Sequence, residues 1–409
     1  MSKKLEAYYG LPDKVKFCNK CVISNQRPSS TIEFKSEKGE KKKVINFDDD
    51  GVCSACVYHE EKETGIDWSE REEKLKELLS GFKSKDGSYD VIVPGSGGKD
   101  SAFTAHVLKY KYGMNPLTVT WAPHLYTDIG FKNFQEWMHT GGLDNILYTP
   151  NGKLHKEMTK NAFHNLLHPF QPFIVGQRII GPAMAKRFGV KLVMYGENQA
   201  EYGNAIDENT NPIMNMDFFS ADDAEEMKFG GISMSEYIQS GKYTKDDFAP
   251  YIAPNKQDLI DLGIEVHYLG YYTKWDPQEC YYYAVENTGF QANSLRTEGS
   301  YSKYSSIDDK IDPFHYFTTL IKFGIGRATY DAAQEVRNDK ITREEAAYLV
   351  KKYDTEFPKK FFSEFLEYID TSEDEFWETV DKHRSPHIWN KINGEWSLRH
   401  TVSKNGSDD

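Results

Sequence analysis

The spacing of hydrophobic residues along this chain changes rhythm three times. Over residues 1–60 apolar positions are sparse and set among charge and turn residues. At 69–80 they fall at helical spacing, with Ser69 and Glu72 at capping-box separation, which predicts an amphipathic helix. From residue 89 short apolar runs alternate with longer amphipathic ones. Val91–Val93, Leu117–Trp121, a run near Ile146 and Lys191–Tyr195 predict strands; Ala102–Tyr112, 130–140, 153–167 and 176–188 predict the helices between them. Such alternation predicts an α/β fold with a doubly wound parallel sheet. Ligands of these sheets bind beyond the carboxyl ends of the strands, where the loops after Val93 and Tyr195 fall.

Residues 200–255, polar with acidic and Met-rich stretches, read as an insertion able to cover a site. Beyond residue 276 the strand pattern gives out, and 312–325, 329–337, 342–353 and 360–382 predict a helical C-terminal region, with Thr342 and Glu345 at capping-box separation. The expected organisation is a small N-terminal module over 1–68, an α/β domain over 69–275, helices over 276–402 and a disordered tail at 403–409.

Composition narrows the function. With 39% hydrophobic and 28% charged residues, the chain reads as a soluble globular protein. No apolar run approaches the roughly 18 residues of a membrane span. Met1–Glu6 leads into no signal-peptide core, so a cytoplasmic protein without a membrane partner is expected. The net charge of −13 argues against a nucleic-acid partner, which is held through its phosphates by a basic face. A small anionic substrate needs only a few well-placed cations.

The string Pro94-Gly95-Ser96-Gly97-Gly98-Lys99-Asp100-Ser101 follows a strand and opens a helix. Its glycines let backbone approach a polyanion. The helix start offers unpaired N–H groups and a positive dipole end. Lys99 adds a point charge, Ser96 and Ser101 add hydroxyls, and Asp100 suits a magnesium ion that bridges phosphates. This is not a Walker A loop, because Val93 stands where that pattern needs its first glycine.

Cys18-x-x-Cys21 and Cys53-x-x-Cys56 fit a tetrahedral zinc site of four cysteines, structural because four protein ligands leave no open position. Cys280 stands apart from the set and reads as a small buried hydrophobe.

The glycine-rich string resembles the PP-loop, Ser-Gly-Gly-x-Asp-Ser, of the N-type ATP pyrophosphatases, and Gly196-Glu197-Asn198 resembles their second motif. The likeness extends to one branch, the N-acetyl sugar amidotransferases of surface-polysaccharide and nonulosonic-acid pathways. It is carried by the cysteine pairs, Thr149-Pro150-Asn151-Gly152, Gly196 to Tyr202, Trp275-Asp276, Arg296 to Tyr301, Phe323 to Thr329 and Ile341 to Glu345.

That resemblance implies that 69–275 is a PP-loop ATP pyrophosphatase domain. It further implies that an acetamido group on a nucleotide-activated sugar becomes an acetamidino group at the expense of ATP, releasing AMP and pyrophosphate. Ammonia would come from a HisH-like glutaminase with a HisF-like partner. By the same resemblance Ser96, Gly97, Gly98, Lys99, Asp100, Ser101 and Gly196 hold ATP, and Trp121 borders the adenine. Lys99, Asp100 and Glu197 are the catalytic candidates, with Asp100 and Glu197 placing magnesium. Glu197, Asn198, Tyr202, Asp276, Arg296, Glu298 and Arg327 are the substrate-side candidates. Two rival readings are a tRNA-modifying PP-loop sulfur transferase and a non-catalytic nucleotide-binding zinc adaptor. The acidic charge and the single spare cysteine stand against the first, and the intact Lys99, Asp100 and Ser101 against the second.

Overall fold

The computed structural model describes residues 4–204 and 211–403. Five parallel strands form its central sheet: β1 (Val91–Pro94), β2 (Pro116–Trp121), β3 (Asp144–Tyr148), β4 (Leu192–Tyr195) and β5 (Glu265–Tyr268), in the order β3-β2-β1-β4-β5. β1 and β2 are buried at every position, which is why they read as continuous apolar runs. β5 escaped the sequence pattern because a short edge strand reading Glu-Val-His-Tyr lacks such a run.

Helices cover both faces. α1 (Ser54–Thr64) and α2 (Trp68–Phe82) precede the sheet. α3 (Lys99–Tyr110), α4 (Asp128–His139), α5 (Gly152–Leu166) and α6 (Gln171–Phe188) connect its strands. Val91, Val93, Leu192 and Met194 pack on one face with Leu75 of α2, Leu108 of α3 and Trp137 of α4. Ile92, Leu117, Val119, Val193 and Val266 pack on the other with α5 and α6. The chain winds outward from β1 to β3 and then returns to place β4 on the opposite side of β1. The loops after β1 and β4 therefore diverge and open a crevice, the switch point of a doubly wound sheet.

Several expectations change in detail. α2 begins at Trp68, capped by the Asp67 carboxylate, which accepts the N–H groups of Ser69 and Glu70 at 3.0 and 3.1 Å. Glu72 is thereby freed to accept from Tyr112 at 3.0 Å and to pair with Lys111 at 2.8 Å. The C-terminal region holds α7 (Pro277–Thr288), α8 (Asp312–Phe323), α9 (Arg327–Arg337) and α10 (Arg343–Tyr353), the last with its Thr342–Glu345 capping box. The expected helix at 360–382 is two, Phe362–Tyr368 and Glu373–Lys382, because Asp370 turns left-handed (φ 48°) and Ser372 with Glu375 caps a new start. Strands also return there. Trp389–Ile392 pairs antiparallel with Glu395–Leu398 across Asn393-Gly394, both at positive φ, the residue pair a tight hairpin favours.

The cysteine-bearing segment is too small to close its own core. Val22, Ile45 and Ala55 pack with Ile325, Ala332 and Ala346, so the C-terminal helices complete it. Residues 211–255 also lie differently from a cover: Phe229, Phe248 and Tyr251 are buried in the principal core. Part of the expected insertion (205–210) and most of the expected tail (404–409) lie outside the described residues. No helix among the described residues is long and apolar enough to cross a membrane.

Candidate active site

The crevice begins with the turn from β1 into α3. Gly97 sits at φ 82°, and a Cβ there would stand 2.9 Å from Phe134 Cα of α4; a Cβ on Gly95 would stand 2.1 Å from Ser101 Cβ. Only glycine lets the turn lie this close to two helices. Gly98 is the N-cap of α3 and no side chain caps that helix, which leaves its first turn as an anion cradle. Lys99 Nζ lies 2.6 and 2.8 Å from the Asp100 carboxylate oxygens. Burial alone would lower the Lys99 pKa, but the Asp100 and Glu197 carboxylates outweigh it and hold the ammonium charged. Ser101 Oγ donates to the Gly98 carbonyl at 3.1 Å and shapes the turn from behind.

The loop after β4 forms the second side. A Cβ on Gly196 would stand 2.7 Å from both Thr104 Oγ1 and the Trp275 ring, so this residue packs against α3 and carries Glu197 toward the phosphate turn. Glu197 accepts from Gln334 Nε2 at 3.0 Å and from the Tyr202 hydroxyl. Burial, reinforced by the Asp100 charge and offset by Lys99, pushes the Glu197 carboxyl up to about 7. Asn198 is buried; its Oδ1 accepts Ala200 N–H at 3.1 Å and fixes the turn through Tyr202.

The third side comes from 276–340. Asp309 locks it in place, accepting His124 N–H at 2.7 Å, His124 Nδ1 at 2.9 Å and Ile311 N–H at 2.9 Å. The neighbouring Asp308 thereby overhangs the α4 start, where a Cβ on Gly130 would stand 2.4 Å from its Cα. Arg327 pairs with Asp331 at 3.1 Å and lies over the Tyr316 ring at 4.4 Å. Burial pushes Asp308 up, and Asp312 up to about 7.

These three sides enclose a cleft of about 310 Å³. Seven carboxylates line it (Asp100, Glu197, Asp276, Asp308, Asp312, Asp331 and Glu335) against three cations, Lys99, Arg327 and Lys340. A polyphosphate entering so acidic a space needs divalent cations to offset the repulsion.

The structure thus brings Ser96, Gly97, Gly98, Lys99, Asp100, Glu197, Tyr202, Asp276 and Arg327 to one cleft. Ser101, Gly196 and Asn198 stand behind it. Trp121 is placed in the core: it stacks on Tyr148 at 5.9 Å, meets Tyr251 edge-on, and presses so close to Gly176 that a Cβ there would overlap its ring. Arg296 is held outside by Glu356, in a bidentate pair at 2.6 and 2.7 Å, and Glu298 accepts Lys360 N–H at 3.0 Å. Asp308, Asp312, Tyr316, Asp331, Gln334, Glu335 and Lys340 were not singled out from the sequence. Part of that signal was present, since 327, 331, 334 and 335 form a polar stripe at helical spacing on α9, which Asn338 continues at its C-cap.

Away from the cleft, Cys18, Cys21, Cys53 and Cys56 are buried, with all four Sγ atoms within 4.8 Å of one another. Two of the separations are 3.9 Å (Cys18–Cys56) and 3.7 Å (Cys21–Cys53). Zinc–sulfur bonds of about 2.3 Å give a tetrahedron with edges of about 3.8 Å, so the cluster fits a single zinc ion. Backbone N–H groups of Lys20, Cys21 and Cys53 point at Cys18 Sγ at 3.3–3.4 Å, the support a thiolate requires. Cys280 lies apart in the core, where burial pushes its thiol pKa well up.

Comparison with known proteins bears first on the third side. Residues 298–402, which supply much of it, match the family described as LPS biosynthesis protein WbpG-like, C-terminal domain. An uncharacterized protein of Methanocaldococcus jannaschii is 35% identical over 82 residues; the match spans 19% of this chain and about a quarter (27%) of that relative's length. Among solved structures, an NH3-dependent NAD synthetase from Campylobacter jejuni matches with 17% identity over 32% of this chain and 56% of its own, at a TM-score of 0.26. An NMN synthetase from Francisella tularensis matches with 14% identity over 70% and 96%, at 0.28. The U34-tRNA thiolase NcsA from Methanococcus maripaludis, solved with a 4Fe-4S cluster, matches with 14% identity over 82% and 88%, at 0.30. Likeness at these scores lends no weight to any one activity. The C-terminal quarter is thus WbpG-like, and it is joined to a doubly wound sheet bearing a PP-loop sequence.

Proposed function

We propose that this chain is an ATP-dependent amidotransferase that converts the acetamido group of a nucleotide-activated N-acetyl sugar into an acetamidino group. One observation carries the reading: a single cleft is lined by the phosphate-cradling turn and by residues of the WbpG-like region, from Ser302 to Lys340. In this reading ATP and a surface-polysaccharide precursor meet at one place.

An amide oxygen is a poor leaving group, so ammonia cannot displace it directly. In the proposed reaction that oxygen attacks the α-phosphorus of ATP, and the α–β phosphoanhydride bond breaks to release pyrophosphate. Ammonia then adds to the carbon of the resulting O-adenylyl imidate, and AMP departs with the former amide oxygen. Lys99, Ser96 and the α3 N-terminus receive the charge that develops on pyrophosphate. Asp100 is the group that would hold magnesium, which would supply positive charge to the triphosphate. Glu197, with its carboxyl near neutrality, suits acceptance of the proton lost by the incoming nitrogen. Arg327, Asp276 and Tyr202 face the sugar. The enclosing third side keeps water from the adenylate, which water would otherwise hydrolyse.

In this reading the four cysteines hold structural zinc. The protein works in the cytoplasm, and ammonia comes from a HisH-like glutaminase with a HisF-like partner. The test supplies the purified chain with ATP, magnesium, ammonium and a UDP-linked acetamido sugar. AMP and pyrophosphate are expected in step with amidine formation by mass analysis, and ADP in their place would overturn the adenylation mechanism.

A further inference from the structure

The cysteine cluster is fastened to the Glu197 loop by contacts that neither zinc binding nor ATP binding requires. α1 begins beside Cys53, carries Cys56, and bears Lys62, whose side chain is fully buried. An ammonium has three donors. Lys62 directs them to both oxygens of Glu201, at 3.0 and 3.1 Å, and to the Trp275 carbonyl, at 3.0 Å. Arg337 of α9 bridges the same two regions: Nη1 lies 4.0 Å from Cys21 Sγ, while Nη2 donates to the Glu201 carbonyl at 3.1 Å. Ser54 Oγ donates to the Gly203 carbonyl at 2.8 Å. Gly203 is left-handed at φ 76°, and a Cβ there would stand 2.9 Å from Ala55 N, so the loop rests directly on the start of α1. Tyr202 lies between these anchored residues and donates its hydroxyl to Glu197.

A buried ion pair is a poor device for stability alone, since the cost of desolvating both charges consumes most of what their attraction returns. What such a pair does supply is a fixed geometry. Resting on the reading of Glu197 as a group of the active cleft, we propose that Lys62, Glu201 and Arg337 are positioning residues through which the metal-loaded cysteine cluster seats Tyr202 and Glu197. Metal loading then governs the chemistry of the cleft while leaving the phosphate turn, built on β1 and α3, in place.

Hydrogen exchange on the full-length chain tests this, read at peptides covering 196–204 and 91–110, with one zinc per chain and after chelation. Chelation is expected to speed exchange at 196–204 by about tenfold, within the usual span of coupling between sites, with 91–110 unchanged. The variant Lys62→Met/Glu201→Met replaces the pair by apolar side chains and keeps all four cysteines, so it decides the matter even if chelation unfolds the chain. With zinc content still one per chain, it is expected to show the same loss of protection at 196–204. Its kcat for AMP release should fall about tenfold with the KM for ATP within about twofold, a split that a merely stabilising pair would not produce. Full protection at 196–204 in this zinc-bound variant would overturn the proposal. Lost protection in a protein that releases no AMP in any form would support the coupling and overturn the proposed reaction instead.

Discussion

The two long walls of the cleft are built by different means. On the sheet side the phosphate turn is made locally: a strand end, glycines and a helix start between Val91 and Ser101 create it. The C-terminal wall reaches its place through contacts between distant parts of the chain. Gln334 reaches Glu197 across 137 residues, and Asp309 holds His124 across 185. A local wall can be rigid and the same for every substrate, which suits a grip on phosphates. A wall assembled from separate helices and loops can be re-aimed by small changes of side chain, which suits recognition of one particular sugar. Under the proposed function, substitutions on the two sides should therefore separate ATP chemistry from sugar recognition.

The largest effect is expected at Lys99. In the proposed reaction Lys99→Met removes the charge that meets the departing pyrophosphate, and loss of one such group typically costs about 10²–10³-fold in kcat. AMP release should fall by that factor while the melting temperature stays close to that of the parent, because the ion partner of Lys99 is its own neighbour Asp100. An equal loss of activity from unfolding would show in the thermal melt.

Glu197 comes next and carries a pH signature. Its carboxyl is raised to about 7, so the folded chain holds a proton that the unfolded chain releases near the ordinary value of 4.5. The stability this proton confers is complete below about 4.5 and is lost as pH rises toward 7. In the proposed reaction ionised Glu197 is the form that accepts a proton, so activity should climb over the same interval. Glu197→Gln should lower kcat about 10²-fold, as loss of a general base does. It should also flatten both profiles between pH 4.5 and 7; an unchanged acid limb of the rate profile would assign that limb to another group.

The same contrast explains what the sequence disclosed. β1, β2 and β4 are buried runs, and the phosphate turn is an eight-residue string, so both can be read without knowing any distant contact. Trp121 obeys a local rule as well. Leu117, Val119 and Trp121 alternate along β2 onto one face, the face that α6 covers, so period two already directs this indole to the core and away from a nucleotide. The C-terminal wall was legible as helices and, on α9, as a polar stripe. What that stripe faces depends on Gln334, Arg337 and the cysteine cluster meeting across the fold, a meeting that spacing within α9 does not encode.

A smaller and more selective effect is expected on the far wall. Arg327→Lys keeps the charge beside Asp331 but loses the planar fork and its stacking on Tyr316. The KM for the sugar should rise about tenfold, a change of roughly 1.4 kcal/mol, while the KM for ATP stays within about twofold. A matching rise for ATP would show that the two walls do not divide the substrates.

The smallest effect is expected at Arg296, where the sequence pointed to the substrate and the structure points elsewhere. Its guanidinium is committed on both nitrogens to Glu356, donates to the Ser300 carbonyl at 3.0 Å and lies 4.6 Å over the Tyr353 ring. Both side chains of the pair are about one-third exposed, so solvent screens the attraction, and such pairs are worth about 0.2–1 kcal/mol. Arg296→Met should therefore lower stability by an amount in that range and leave both KM values within about twofold of the parent. The turn 296–300 that Arg296 braces lies at the start of the WbpG-like region. A rise of tenfold or more in the sugar KM, without loss of stability, would show that the substrate extends beyond the cleft to this turn and would extend the far wall to it.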